Sequence, residues 1–308
     1  MKDLGQFLPQ HLSNIIWAYA TAGKAHPKLF SKIGDHVVAM RDLSGFMPQT
    51  FSNVVLSYAT AGQSHPLLFQ KLAHAVISRS NEFNSQDIAN LLWAYATVGL
   101  IDQQLFTSFA PAVKSVLGKC NSQEVANVAW AYAVANVNDP SLFNTDFMNA
   151  LQSNAVDFVL VECRQLYQWQ LWQDEIKSGI KLSPALRKKC RQAFFSRLPQ
   201  PSRLQDDVIS VLSSIGMSPE EEVLTPSGYR LDALVEVNGI KVGIEVDGPS
   251  HFMNQEPTGS TLLKRRQVHT LDDIHIISVP YWEWREVGSD HSKKQQYLRY
   301  KMSWIAEQ

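Results

Sequence analysis

Residues 230–248 read Arg230-Leu-Asp-Ala-Leu-Val-Glu-Val, then Asn-Gly, then Ile-Lys-Val-Gly-Ile-Glu-Val-Asp-Gly248. An Asn-Gly pair between two alternating apolar runs predicts a β-hairpin, because a type I′ turn requires positive φ at both turn residues. This turn sets Asp232 opposite Glu245. Side chains alternate along a strand, so one face of the hairpin is apolar and the other is polar. The polar face carries a cluster of three acids: Asp232, Glu245 and Asp247.

The elements around the hairpin predict an α/β domain over residues 201–308. A helix over 204–215 and a short strand near 221–225 precede the hairpin. A helix near 260–271, a strand over 274–279 and a last helix near 292–305 follow it. The punctuated stretch Leu198-Pro-Gln-Pro-Ser202 marks the boundary with the preceding domain.

The first half of the chain is a repeat. Segments of the form Asn-x-x-(Trp/Leu)-x-Tyr-Ala are 39, 37 and 37 residues apart, beginning at Asn14, Asn53, Asn90 and Asn127. A Leu-Phe pair keeps the same period in all four copies. Two markers in register predict a solenoid of stacked helix pairs over residues 1–155. Seven aromatic residues are expected in the core between repeats: Trp17, Tyr19, Tyr58, Trp93, Tyr95, Trp130 and Tyr132.

One polar position varies between the repeats. A Gln stands four residues before each recurring Asn, and the residue after this Gln differs in every copy. RNA readers that recognise one base per repeat combine a constant scaffold with such a variable position. The alternative is that the Gln satisfies backbone groups and the variable residue is merely exposed. The candidate RNA-contacting pairs are Gln10-His11, Gln49-Thr50, Gln86-Asp87 and Gln123-Glu124.

Residues 156–200 are expected to hold a capping helix and a basic linker helix. The stretch Gln165–Trp172 resembles a degenerate fifth copy, and terminal repeats often act as caps. Eight Lys and Arg residues and no acids lie between Lys177 and Arg203, and one of them is Arg197. This patch suits a polyanion such as nucleic acid, or it is a solvated helix face. The candidate RNA contacts within it are Arg187, Lys188 and Arg191.

Composition narrows the class of protein. The chain has 308 residues, a net charge of −1 and a 45% apolar fraction, which suit two globular domains. The three scattered cysteines, Cys120, Cys163 and Cys190, have no zinc-site spacing and predict no disulfide framework. No apolar run approaches the length of a membrane span, so no membrane partner is expected. No targeting segment is visible at the start of this sequence.

The C-terminal half resembles the RAP domain. The resemblance rests on the stretches 244–252, Ile-Glu-Val-Asp-Gly-Pro-Ser-His-Phe, and 258–266, Thr-Gly-Ser-Thr-Leu-Leu-Lys-Arg-Arg, and on 277–284 and Tyr297-Leu298. The repeats resemble octotricopeptide repeats. Helical repeats followed by a RAP domain are the architecture of octotricopeptide and FAST-kinase-like proteins. The resemblance implies an α-helical solenoid followed by an α/β RAP domain of restriction-endonuclease-like fold.

The same resemblance implies an RNA-binding protein of a mitochondrion or chloroplast. Its role would be the processing, stability or maturation of organellar mRNA or rRNA. Its partners would be single-stranded RNA and ribonucleoproteins. The chain carries no Gly-rich phosphate loop or kinase signature, despite the kinase name. A protein-binding scaffold is a further alternative, because residues 1–160 are nearly neutral, with nine Lys or Arg and ten Asp or Glu.

A metal-dependent endoribonuclease is the other alternative that the resemblance raises. PD-(D/E)xK nucleases hold Mg²⁺ with acids, and the metal activates a water molecule. Asp232 and Glu245 match the metal ligands of this fold. Asp247 stands where the fold has a Lys, so His251 or Lys264 would take its place. No cofactor is required if the domain is not catalytic.

Cations of the chain itself are the alternative to a metal. Three carboxylates on one face repel one another unless something positive lies among them. Arg230, Lys241 or Lys264 could pair with them. The nearby helix and loop also supply candidate RNA contacts that would hold phosphates or stack a base: Arg265, Arg266 and Trp282.

Overall fold

The computed structural model describes residues 4–24, 26–196, 198 and 202–306. The chain forms two compact units. The first, here the repeat unit, comprises Met1–Ala193 and Met253–Leu262, and the second, here the sheet unit, comprises Phe194–Phe252 and Leu263–Gln308. Arg197 and residues 199–201 of the expected linker lie outside the described residues, and the domain boundaries at 155 and 200 stay predictions.

Helices stack in pairs through the repeat unit, as the periodicity predicted. The first helices of successive repeats pack directly on one another, α1 on α3, α3 on α5, α5 on α7 and α7 on α9. In the described part of the chain, no helix is both long and apolar enough to cross a membrane. The helices are α1 Pro9–Thr21, α2 Pro27–Ala39, α3 Pro48–Thr60, α4 Pro66–Ile77, α5 Ser85–Val98, α6 Gln103–Val116, α7 Ser122–Ala135, α8 Thr145–Ser153, α9 Leu160–Glu175 and α10 Pro184–Phe195.

The first helix of each repeat begins where its sequence permits capping. In α1 and α3 a proline occupies the first helical position, where its missing N–H costs no hydrogen bond. In α5 and α7 the side chains of Asn84 and Asn121 accept hydrogen bonds from the backbone N–H of Asp87 and Glu124. The Glu124 side chain in turn accepts a hydrogen bond from the Asn121 N–H, and the two bonds together form a capping box.

A tyrosine in the first helix joins each repeat to the one before it. Its hydroxyl donates a hydrogen bond to the backbone carbonyl of the Phe in the preceding Leu-Phe pair, at 2.6–2.8 Å. The two rings meet edge to face, with centroids 5.0–5.3 Å apart. The two sequence markers are therefore the two halves of one repeated contact. The pairs are Tyr58–Phe30, Tyr95–Phe69 and Tyr132–Phe106.

Helix α9 continues the stack. Gln165, at the position of the recurring Asn, donates a hydrogen bond to the side-chain oxygen of Asn127 at 3.0 Å. The Trp172 indole is fully buried and donates to the Asn136 side chain at 2.9 Å. The expected cap is therefore packed into the array. Trp17 and Tyr19 are exposed, contrary to their expected place in the core. In the described residues no helix pair covers Tyr19 as the preceding pair covers each later tyrosine, and Trp17 stands at a position where Leu56 and Trp93 are only half-buried.

The C-terminal half is the predicted α/β fold. Its main sheet has the order β1-β2-β3-β6, antiparallel except for the parallel pair β3 and β6. Two short strands, β4 and β5, pair with each other. The elements are α11 Arg203–Ser214, β1 Glu220–Leu224, β2 Arg230–Val237, β3 Ile240–Asp247, β4 Phe252–Met253, β5 Glu256–Pro257, α12 Gly259–Asp272, β6 His275–Pro280, α13 Tyr281–Val287 and α14 His291–Ala306.

The hairpin turn and its register are as predicted. Asn238 and Gly239 have φ values of 53° and 81°. Ala233 pairs with Ile244, so Asp232 and Glu245 are the next residues along the two strands. The apolar face of the hairpin packs against α11 and α14 in the core of the sheet unit. The acid cluster is therefore left on the opposite face, beside α12.

Residues 253–262, which lie within the predicted α/β domain, are part of the compact repeat unit. The side chain of Asn254 donates a hydrogen bond to the carbonyl of Ser64 at 3.0 Å. A Cβ at Gly259 would lie 1.8 Å from the carbonyl oxygen of Ala96. Only glycine allows this close approach of two backbones.

Candidate functional site

Glu245 forms an ion pair with Lys264 inside the sheet unit. The Lys264 Nζ lies 2.6 Å from Glu245 Oε2 and 2.7 Å from the carbonyl oxygen of Arg230. Glu245 is buried on β3, and Lys264 reaches it from α12. The other oxygen, Glu245 Oε1, is buried and has no hydrogen-bond partner. Of the three cations considered for this cluster, Lys264 is therefore the one that pairs with Glu245.

Asp247 holds a second set of ion pairs. Arg265 Nη2 lies 2.8 Å from Asp247 Oδ2, and His251 Nδ1 lies 3.0 Å from Asp247 Oδ1. The Ser278 hydroxyl also donates to Oδ2. A buried carboxylate with this many donors is held in one orientation. Both oxygens of Asp247 are thus engaged by groups of its own chain.

Asp232 is held by the backbone of the neighbouring strand. Its Oδ2 accepts a hydrogen bond from the N–H of Val246 at 2.7 Å. Arg230 turns away from the cluster and donates to the carbonyl of Glu222 at 2.8 Å. Lys241 stands opposite Glu236 at the other end of the hairpin. Neither Arg230 nor Lys241 therefore supplies the charge that neutralises the cluster.

Burial and ion pairing shift the pKa values of these groups in opposite directions. Burial raises the pKa of Glu245 to about 7, although the Lys264 charge opposes the rise. Burial also raises the pKa of Asp232. Burial opposes ionisation of Asp247 too, but the hydrogen bonds from His251 and Ser278 and the Arg265 charge together lower its pKa. The hydrogen bond to Asp247 raises the pKa of His251.

These shifts predict that the sheet unit loses stability as pH rises from about 5 to about 8. Glu245 has a folded pKa of about 7, above its unfolded value of 4.5, so its contribution is present below pH 4.5 and is lost as pH rises through 7. The raised pKa of His251 acts in the same direction above pH 6.5. Replacing Glu245 with Gln should therefore flatten the pH dependence. One titrating group changes the free energy of unfolding by at most about 1.4 kcal/mol per pH unit.

Hydrogen exchange of the β3 amides, measured in urea at several pH values, reports the stability of this region. Glu236→Gln is the matched control, because Glu236 is exposed on the same hairpin. The stability of the Glu236→Gln variant should depend on pH in the same way as that of the unchanged protein. If the Glu245→Gln profile ran parallel to both, burial of Glu245 would not be the source of the slope.

A Mg²⁺ site formed by Asp232 and Glu245 stays a prediction. Mg²⁺ requires near-octahedral oxygen ligation, including free carboxylate oxygens. Here Lys264 and Arg265 engage two of the carboxylates, and the described residues hold no group of three His, Cys, Asp or Glu side chains placed to bind a metal. The geometry favours the alternative in which the chain's own cations neutralise the acids. We therefore derive no catalytic step for Asp232, Glu245, Asp247, His251 or Lys264.

Some of the other candidate RNA contacts in the C-terminal half already interact with groups of the chain itself. Arg265 is engaged by Asp247, so it is not proposed as a phosphate ligand. Trp282 is half-buried, with its ring edge-to-face on Phe252 at a centroid distance of 4.3 Å. Arg266 is also half-buried. RNA contacts by Trp282 and Arg266 stay predictions.

The candidate RNA-contacting residues of the repeats divide into exposed residues and residues with structural contacts. The four glutamines are exposed, and so is His11. Thr50 and Asp87 are buried, and Ser52 donates a hydrogen bond to Asp87 between adjacent repeats at 3.0 Å. Glu124 is used in the capping box of α7. Asp87 thus contacts the preceding repeat, Thr50 is buried and Glu124 caps its own helix, so these three residues are not proposed as base readers. The exposed glutamines are Gln10, Gln49, Gln86 and Gln123.

A cavity of about 620 Å³ is lined by basic residues of α10 and of the segment just before it. Tyr167, Leu182 and Pro184 supply apolar surface. Arg187 pairs with Asp174 at 3.2 Å, while Lys181, Lys188 and Arg191 are exposed. We call this the basic cavity. The sequence indicated its cations but not Tyr167, because that residue comes from α9 and reaches the cavity only through helix packing. It is lined by Tyr167, Lys181, Leu182, Pro184, Arg187, Lys188 and Arg191.

About half of the chain, residues 3–158, matches the RNA-editing substrate-binding complex 6 protein family. The chain belongs to this family. In this family member, residues 244–301 match the RAP domain, which confirms the resemblance seen in the sequence. The wider likeness to octotricopeptide and FAST-kinase-like proteins stays a prediction.

One curated relative of this family member is a RAP domain-containing protein, chloroplastic, from Oryza sativa subsp. japonica. It is 30% identical over 128 residues, which cover 41% of this chain and 19% of the rice protein. The chain thus matches about a fifth of the length of that relative. Both family matches leave out residues 159–243, so the basic cavity and Asp232 are features of this chain that the matches do not cover.

Proposed function

We propose that this protein binds single-stranded RNA and acts in RNA processing in a mitochondrion or chloroplast, without cutting the RNA. The basic cavity is the observation that carries this proposal. The names of the matched family and of the rice relative, with their reference to RNA-editing substrates and to the chloroplast, support it. RNA or a ribonucleoprotein would be the partner.

The basic cavity has the chemistry of a phosphate-binding groove with an apolar floor. Arg191 offers a planar guanidinium group, which suits contacts to phosphate oxygens, whereas Arg187 is paired with Asp174. Lys181 and Lys188 add exposed charges at the rim. Asp174 neutralises Arg187 only, so the cavity keeps a positive balance. A phosphodiester backbone, with its regularly spaced negative charges, fits this arrangement.

The exposed glutamines would add contacts along the repeats. An amide side chain both donates and accepts hydrogen bonds, so it can contact the edge of an unpaired base. One exposed Gln recurs at the start of the first helix in each of four repeats. The basic cavity would then supply affinity through phosphates, while the glutamines would bias the choice of sequence.

RNA binding should be steeply dependent on salt. Each phosphate contact to a single strand contributes about 0.7 to the slope of log affinity against log salt. The double variant Lys181→Gln/Lys188→Gln should bind labelled single-stranded RNA more weakly, with the slope reduced by about 1.4. The control Lys28→Gln/Lys119→Gln makes the same change of charge at exposed positions elsewhere in the repeat unit. Fluorescence anisotropy at several salt concentrations measures both.

Two results would contradict the proposal. Absent or salt-insensitive RNA binding by the unchanged protein would remove the function itself. Cleavage of the labelled RNA with Mg²⁺ or Mn²⁺, lost in a folded Asp232→Asn/Glu245→Gln variant, would restore the endoribonuclease alternative. We expect the RNA to stay intact, because Lys264 engages Glu245 and the Val246 N–H engages Asp232, the two acids that match metal ligands.

A further inference from the structure

Helix α9 covers two polar side chains of α7. Gln165 donates a hydrogen bond to Asn127 Oδ1 at 3.0 Å, and Trp130 Nε1 donates to Gln168 Oε1 at 3.0 Å. Asn127 is 8% exposed and Trp130 is 6% exposed. The amides of α9 therefore supply the hydrogen bonds that these two buried groups need.

The same positions in α3 and α5 have no such partner. Asn53 and Asn90 are the counterparts of Asn127, and Trp93 is the counterpart of Trp130. All three side chains are half-buried, and none of them makes a hydrogen bond to another described residue. The cause lies in the next helix, because α5 and α7 carry Asn and Trp where α9 carries two glutamines. The polar atoms of these three side chains reach the surface and are open to a ligand.

Two of the exposed glutamines lie in line with these open positions. Gln49 stands four residues before Asn53, and Gln86 stands four residues before Asn90, so each pair lies on one side of its helix. Trp93 lies about one turn further along α5 on the same side. We call the surface formed by Gln49, Asn53, Gln86, Asn90 and Trp93 the amide stripe. It carries no charged side chain, and its amides both donate and accept hydrogen bonds.

We propose that the amide stripe reads unpaired RNA bases, with Asn53 and Asn90 each contacting the edge of one base. The contact between α7 and α9 is the internal example of this chemistry. There an Asn oxygen and an indole N–H bind amide groups, and a base edge offers the same kinds of N–H donor and oxygen or nitrogen acceptor. Trp93 Nε1 donates a further hydrogen bond to a base. This inference rests on the proposed RNA binding and names the side chains that select the sequence.

Phosphate and protein fit the amide stripe less well. The stripe has no cation to hold phosphate oxygens, whereas the basic cavity has several. A protein would have to present polar groups in step with successive first helices. Unpaired bases of one strand present their edges in series, and repeat proteins that read one base per repeat use them in this way. Phosphate contacts and base contacts are thus assigned to different surfaces of the repeat unit.

Base preference in a binding assay tests this proposal. The probes are short labelled RNAs of a single base: oligo(A), oligo(C) and oligo(U). We expect the unchanged protein to bind one of them about tenfold more tightly than the weakest. Asn53→Ala/Asn90→Ala should reduce this difference to about threefold or less, because the base edges lose their partners. The salt dependence should stay unchanged, since the phosphate contacts lie elsewhere.

Two further variants make the test specific. Asn138→Ala/Asn149→Ala removes two exposed amides elsewhere in the repeat unit and should keep the preference of the unchanged protein. Trp93→Phe keeps an aromatic ring but removes the N–H donor, so it should weaken binding of the preferred RNA more than binding of the others. It also replaces the asparagine variant if circular dichroism shows that the latter does not fold.

The outcomes separate this inference from the proposed function. A full base preference in the folded asparagine variant, or in Trp93→Phe where it stands in, would overturn the amide stripe and leave RNA binding in place. Equal binding of all three RNAs by the unchanged protein would do the same, and so would an equal loss of affinity for all three in the variants. Absence of any RNA binding by the unchanged protein would overturn both proposals.

Discussion

Replacing Lys264 with methionine is expected to destabilise the sheet unit by about 3 to 5 kcal/mol at pH 8. The substitution keeps an unbranched apolar stem but removes the ammonium group that lies 2.6 Å from Glu245. The carboxylate then stays buried without a cation, and the Arg230 carbonyl loses its donor. Loss of one partner of a buried ion pair is costly because the remaining charge has no compensation.

The loss should be much smaller at pH 5. Glu245 has a pKa of about 7, so at pH 5 it is protonated and leaves no unpaired charge. Glu245→Leu/Lys264→Met, which removes both partners, should recover most of the stability at pH 8. The free energy of unfolding is measured for the unchanged protein, both single variants and the double variant by urea unfolding, with hydrogen exchange of the β3 amides as the readout. These four values form a double-mutant cycle. An equal loss at both pH values would mean that Lys264 acts through packing and not through its charge.

The hairpin could be predicted in detail because its determinants are local. Asn238 and Gly239 specify the turn, and the alternation of apolar residues specifies the face. These two local features are enough to place Asp232 beside Glu245. The neutralising cations were less predictable. Lys264 and Arg265 lie on a helix that follows the hairpin, and their pairing depends on how that helix docks on the sheet.

In the repeats, too, local features could be predicted from the sequence, and features that depend on helix packing could not. Their period follows from two markers that recur in the sequence, and the structure unites these markers in one tyrosine–carbonyl contact. The direction of the variable position could not be read from the sequence. Thr50 and Asp87 are polar, yet both are buried, and Asp87 accepts a hydrogen bond from Ser52 of the preceding repeat. A polar residue in a solenoid can therefore be an interface residue.

The proposed RNA binding and the stability of the fold depend on different parts of the chain. The acids of β2 and β3 are engaged by backbone amides and cations of the sheet unit, so changes there should alter folding first. The cations of the basic cavity are mostly exposed and make few internal ion pairs. Their replacement should alter RNA affinity with little effect on folding, since exposed charges contribute little to stability.

Replacing Trp172 with alanine is expected to destabilise the repeat unit by about 3 to 5 kcal/mol. The indole is fully buried, its ring meets Phe143 at a centroid distance of 5.5 Å, and its Nε1 donates a hydrogen bond to Asn136. Asn136 ends α7 in the left-handed conformation with φ of 53°. The substitution therefore opens a cavity between α9 and α7 and releases the contact at the end of α7.

Trp17→Ala is the matched control, because it removes the same side chain from a half-exposed position. Its effect should be clearly smaller, because about half of the Trp17 side chain already lies in water. Hydrogen exchange should locate the loss for Trp172→Ala in α7 and α9, since each repeat of a solenoid depends on its neighbours. If both variants lost the same stability, or if α7 kept its protection, α9 would not be part of the cooperative array.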